Sequence, residues 1–189
     1  MTGVVRCWES ADPAYVGYHD EEWGRPVLDE HGVLERLCLE GFQSGLSWLT
    51  ILRKRENFRA AFDQFDPEKL AGFTERDVKR LLGDAGIVRH RGKIEAAIAN
   101  GRATLELRDS TPLSELVWKY RRDGSAPAAW AAETPESREL SKRLRAAGFR
   151  FVGPTTVYAT MQAIGVVNDH VVDCFVREAV ERERALVAA

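Results

Sequence analysis

The chain lacks the features that mark several large protein classes. Its 189 residues include three cysteines, too few for a disulfide framework, and the compartment implied is a reducing one. Seven prolines and 15 glycines exclude collagen-like and low-complexity chains. No apolar run approaches the roughly 18 residues needed to span a bilayer. The opening MTGVVRCWES has no apolar stretch of the secretory kind. The expectation is therefore a soluble, cytoplasmic protein with no membrane partner. Charge of one sign is missing too. With 27 basic and 29 acidic residues the net charge is -2, which excludes a protein that coats polyanions with its whole surface. A local basic patch stays open, because charges are screened beyond about 10 Å. What is present is 44% hydrophobic and 30% charged residues, enough for one domain spanning residues 1–189, with room for two helical lobes.

Helical periodicity runs through nearly all of it. Val33, Leu34, Leu37, Cys38 and Gly41 follow i, i+3/i+4 spacing, as do Leu49, Leu52 and Phe58 after Trp48. Asp66-Pro67, Thr74 with Asp77, and Thr111-Pro112 with Glu115 read as helix starts. Gly86, Gly101 and Gly148 read as helix stops. No segment alternates with period two, so the expected class is all-α, with roughly eight to ten short helices. Residues 122–134 read as a surface loop. The tail from Arg177 to Arg184, with Glu178 and Arg182 four apart, reads as a solvated helix face.

Three constellations carry chemistry. His170 and Cys174 would lie one helical turn apart on one face, and Cys7 and His19 lie near the other end of the chain. Two thiolates and two imidazoles complete a tetrahedral zinc set. The alternative is a packed cysteine beside a surface histidine. Cys38, inside an apolar stripe, reads as a small core residue. Glu40 falls on or beside the apolar face of its own helix, so it is either hydrated at a helix end or buried for a purpose. Trp8, Tyr15, Tyr18 and Trp23 precede it and Trp48 follows. An aromatic pocket with one carboxylate suits a planar, cationic heterocycle; ordinary core packing is the alternative. Finally, Gly86-Ile87-Val88-Arg89-His90-Arg91-Gly92-Lys93 joins two periodic helices through a tight, basic turn. Free N–H groups at a helix start suit a phosphate, although such a cluster is also what a solvated helix start looks like.

The segments Tyr18-His19-Asp20-x-Glu22-Trp23-Gly24, Leu39-Glu40-Gly41-Phe42-Gln43-Ser44-Gly45-Leu46-Ser47-Trp48, Gly86 to Ile94, and Asn168-Asp169-His170 occur in order. Together the chain, from about Cys7 to Cys174, resembles the 3-methyladenine DNA glycosylase I family of the helix-hairpin-helix superfamily. The resemblance implies a structural Zn2+ on Cys7, His19, His170 and Cys174, which joins the N- and C-terminal segments. It implies a damaged base stacked on Trp48 with Trp8 and Trp23 nearby, its edge bonded by Glu40 and Tyr18. Leu46 would be the wedge filling the duplex, and Gly86, Arg89, His90, Arg91 and Lys93 would meet DNA. Cys7 and Trp8 are adjacent here, where the family pattern has an intervening residue. The implied activity is monofunctional release of 3-methyladenine from alkylated double-stranded DNA by base flipping. Lys93 is expected at a phosphate and not as a nucleophile, and Asp109 as a helix-start or loop residue. A monomer is the default. The competing class is a non-catalytic, zinc-stapled module that binds damaged DNA. A zinc hydrolase is disfavoured because four protein ligands leave no position for water.

Overall fold

The computed structural model describes residues 3–122 and 131–187. These form α1 (Pro13–Glu21), α2 (Glu30–Gln43), α3 (Trp48–Ala61), α4 (Pro67–Ala71), α5 (Glu75–Gly83), α6 (Arg91–Arg108), α7 (Leu113–Trp118), α8 (Pro135–Ala146), α9 (Pro154–Ala163) and α10 (Arg177–Val187). There is no strand among the described residues. None of these helices is long and apolar enough to cross a membrane.

Local chemistry sets most of the boundaries. Asp12 and Asp66 accept the first N–H groups of α1 and α4, each ahead of a proline. Thr74 and Asp77 close a capping box on α5, so backbone donors that would lack helical partners find side chains. Two expected boundaries move. The helix after Thr111 begins at Leu113, with Pro112 at its cap and no side-chain cap bond. Gly101 does not stop a helix but lies inside α6, where an added Cβ would meet the Leu70 Cβ at 2.6 Å. It is there to let α4 and α6 approach closely.

The organising element is α2. It packs against α3, α6, α7 and α9, and Val33, Leu34, Leu37, Cys38, Leu39, Gly41 and Phe42 are all buried. A helix surrounded in this way has no solvent side for most of its length. On the C-terminal half of α2 even a charged residue is held inside, which decides the fate of Glu40, 6% exposed.

The C-terminal helix corrects the expectation of a solvated tail. Glu178 and Arg182 do pair on the surface, but Arg184 is completely buried. Its guanidinium donates to the Gly165 carbonyl at 2.7 Å, to Val166 O at 3.1 Å, to Arg122 O at 2.5 Å and to Glu181 at 2.6 Å. Five donors in a fixed fork satisfy several carbonyls at once, which pins α10 to the turn after α9. The loop expected over residues 122–134 falls largely outside the described residues.

Candidate active site and metal centre

The C-terminal half of α2, the start of α3, α1 and α9 converge on one cavity of about 250 Å³, lined by Trp8, Tyr15, Tyr18, Trp23, Glu40, Gln43, Trp48, Ala159 and Gln162. Tyr18 and Trp48 lie 5.2 Å apart between ring centroids, and Trp8 lies 5.1 Å from both Tyr15 and Trp23. Trp48 Nε1 is buried with no hydrogen-bond partner, which leaves a donor unspent. The five expected pocket residues are thus brought together. Tyr15, of the same aromatic cluster, joins them; sequence reasoning gave no pocket role to Gln43, Ala159 or Gln162. The last two sit on α9, more than a hundred residues from the others, and no local signal points to them.

Glu40 is the only carboxylate on this lining. Burial pushes its carboxyl up to about 8, a rise the Arg36 guanidinium only partly offsets. The hydrated helix-end reading therefore fails. In the empty cavity at neutral pH the group is a neutral acid and not a standing charge. Burial, with Glu40 nearby, holds the Tyr18 phenol well above its ordinary range, so Tyr18 is a donor at any working pH.

Beside this cavity the chain turns sharply. Gly45 takes a left-handed backbone (φ 79°) that few side chains tolerate. The next residue, Leu46, is 44% exposed at the rim of a second hollow shared with Glu40, Ser44, Thr155 and Thr156.

The segment between α5 and α6 is a tight turn, and its expected contacts divide. Arg89, His90 and Arg91 are exposed, and Arg89 pairs with no acid among the described residues. Arg91 pairs with Glu75 and Glu95. His90 caps α6 by accepting the Lys93 N–H. Gly86 does not offer its N–H outward, because that group donates to Asp84 Oδ1 at 2.7 Å. Its carbonyl accepts from Lys54 at 3.2 Å, so the residue closes the turn. Lys93 is a clear correction. It is buried, and its ammonium donates to Phe42 O at 2.8 Å and Ser44 O at 2.6 Å. There it caps the carbonyl end of α2, where the helix dipole favours a cation, instead of reaching a phosphate. Asp109, expected at a helix start or in a loop, ends α6 as an exposed cap residue and does not line the cavity.

Cys7, His19, His170 and Cys174 present ligand atoms all within 4.8 Å of one another, three of the four residues being buried. Cys174 Sγ lies 3.5 Å from His19 Nε2, matching the edge of about 3.5 Å that tetrahedral Zn–S and Zn–N bonds would give. His170 Nδ1 faces Asn168 Oδ1 at 2.9 Å, while its Nε2 is buried without a partner. Burial drives the His170 ring down to about 3, so it is neutral with a lone pair to give. His19 Nδ1 faces Asp20 Oδ1 at 2.8 Å, and Arg6 holds that carboxylate. Such outer partners fix ring tautomers for metal binding. The adjacent Cys7 and Trp8 are no obstacle, since Cys7 Sγ completes the set. His170 and Cys174 are not on a helix as expected; both lie in the irregular stretch between α9 and α10. The cluster has room because Gly24 carries no side chain: a Cβ there would meet His170 Cε1 at 2.7 Å. These residues fit a structural metal ion.

Comparison with known proteins agrees with the geometry. The methyladenine glycosylase family pattern matches residues 8–178. DNA-3-methyladenine glycosylase 1 of Escherichia coli K12 is 51% identical over 179 residues, covering 90% of this chain and 96% of that protein. A crystal structure of a 3-methyladenine DNA glycosylase I superposes with a TM-score of 0.87 at 47% identity, covering 90% of this chain and 98% of the other. A variant of that enzyme class in complex with 3-methyladenine gives 0.85 at 35% identity, covering 89% and 94%. The chain belongs to the methyladenine glycosylase family.

Proposed function

We propose that this protein hydrolyses the N-glycosidic bond of 3-methyladenine in alkylated double-stranded DNA. The carrying observation is one buried carboxyl, Glu40, in the wall of an otherwise aromatic and amide-lined cavity. The lesion is taken out of the stack into the cavity, and Leu46 fills the space it leaves. N3-methylation makes the base cationic, so the glycosidic bond is already weakened. Water then adds its oxygen to C1′ and loses a proton to solvent while the base departs neutral with the bonding electron pair, so no strong general acid is required. The aromatic walls contribute cation–π attraction of about 0.5–2 kcal/mol each. A cation entering the cavity also favours the ionised form of Glu40, which gives up its proton to solvent as the base binds and holds the cationic base; the base then leaves neutral as the positive charge passes to C1′.

The reaction is monofunctional. Lys93 is spent on the Phe42 and Ser44 carbonyls, which argues against its use as an amine nucleophile. Borohydride treatment during turnover should trap no protein–DNA adduct, and a trapped adduct would contradict this reading. Chromatography of the bases freed from methylated duplex DNA tests the activity itself.

The turn between α5 and α6 serves as the helix-hairpin-helix phosphate contact, supported by the exposed Arg89 and by the first N–H groups of α6. Arg89→Ala should weaken DNA binding and reduce its salt slope by about one, with no change in which base is freed. Arg91→Ala should cost less, since Arg91 must first leave two carboxylates. Equal losses for the two variants would show that the ion pairs are irrelevant.

Cys7, His19, His170 and Cys174 would hold Zn2+, which supplies no chemistry to the reaction and ties the N-terminal segment to the stretch before α10.

A further inference from the structure

The base cavity contains a further hydrogen-bonding group whose orientation is fixed from behind. Gln162, on α9, lines the cavity. Its Nε2 donates to Asp169 Oδ2 at 2.7 Å, and the Tyr158 hydroxyl donates to the same oxygen at 2.5 Å. Asp169 is buried. A carboxylate accepts only, so it takes one of the two N–H groups of the amide and fixes which end is which, leaving Oε1 as an acceptor with capacity to spare. Asp169 is itself held in the stretch that carries the His170 ligand, one residue from Asn168, which orients that ring.

We infer that Gln162 is a specificity-determining residue of the base pocket, presenting Oε1 as an obligatory acceptor to an exocyclic amine, with Asp169 as the positioning residue that holds it so. The inference rests on the glycosylase reading above. The 6-amino group of 3-methyladenine has two N–H bonds, and Glu40 and Gln162 can each accept one of them. In 3-methylguanine the same position carries a carbonyl oxygen. Glu40 alone separates the two less sharply, because a carboxyl can take up a proton and donate to a carbonyl as well as accept from an amine. Gln162 cannot exchange the two ends of its amide while Asp169 holds one of its N–H groups. A guanine O6 would face the amide oxygen with no proton between them, and buried acceptors opposed in this way discriminate strongly.

The test is a ratio. One sample of methylated duplex DNA carries both lesions, and the 3-methyladenine and 3-methylguanine freed by the same enzyme are measured together under initial-rate conditions. Because both products come from one preparation, the ratio is insensitive to the fraction of protein folded. For Gln162→Leu the preference for 3-methyladenine should narrow by at least about tenfold. For Asp169→Asn, whose amide can donate as well as accept and so lets Gln162 turn, it should narrow about threefold or more. An unchanged ratio in Gln162→Leu overturns the inference, whatever happens to the total rate. An unchanged ratio in Asp169→Asn beside a narrowed one in Gln162→Leu removes Asp169 from it. If the wild-type protein frees no methylated base at all, it is the glycosylase reading that fails.

Discussion

Glu40→Gln is expected to melt higher than the wild type at neutral and alkaline pH while losing base release. The carboxyl ionises near 4.5 in the unfolded chain and at about 8 in the fold. The folded state is therefore penalised by the difference. Stability attributable to this group is complete below about pH 4.5, falls as pH rises toward 8, and is constant beyond. At pH 7 the loss is about 3 kcal/mol, and a neutral amide of the same shape avoids it. For a chain of this size that corresponds to roughly 6–12 °C in melting temperature. The advantage should vanish at pH 4, where both carboxyl states are neutral. Thermal melts of the two proteins at pH 4, 7 and 9 decide the matter, and parallel melts at all three would mean that Glu40 is hydrated after all. Activity should show the same ionisation from the other side. Below pH 8 the wild-type kcat/KM should rise about tenfold per pH unit, levelling above it, as a cationic base selects the ionised site.

The second large effect concerns the cluster at the two ends of the chain. Cys174→Ser should lose zinc and melting temperature together. A ligand that binds only the folded state at a thousandfold excess over its Kd contributes about 4 kcal/mol, or roughly 10 °C for this chain. A strong chelator should lower the wild-type melt by a similar amount and leave the variant unmoved. Base release by any protein that stays folded should persist, because the cluster touches the reaction only by ordering the segments on either side. Metal content by emission spectrometry, read beside the melts, checks it. A metal-free wild type with an unchanged melt would refute the staple.

The readable parts of this structure were those whose cause is local. Asp66, Thr74 and their partners announce helix starts because a cap acts within four residues. Glu40 was legible as an oddity on an apolar stripe, but only the packing of four helices around α2 shows that it is buried. Lys93 looked like one more cation in a basic run. Its true partners, the carbonyls of Phe42 and Ser44, lie about fifty residues away, and nothing near it in sequence indicates them. Arg184 misled in the same way, its surface-like Glu and Arg neighbours hiding a side chain with no exposure. The four metal-cluster residues could be proposed from their chemistry and from family likeness, yet the helical turn assumed between His170 and Cys174 is absent. Gln162 gave no signal at all, because its meaning depends on Asp169 behind it and on the cavity in front.

The most direct measurement is the release of free base from methylated duplex DNA by the zinc-loaded wild type and by Glu40→Gln, resolved by chromatography under single-turnover conditions. The account predicts 3-methyladenine from the wild type and at least a hundredfold slower release, on the order expected for loss of a positioned acid–base or charge-stabilising group, from a variant that still folds and binds DNA. Equal release by the two proteins would contradict the role given to Glu40, and no release by either would leave a protein that binds damaged DNA without cleaving it.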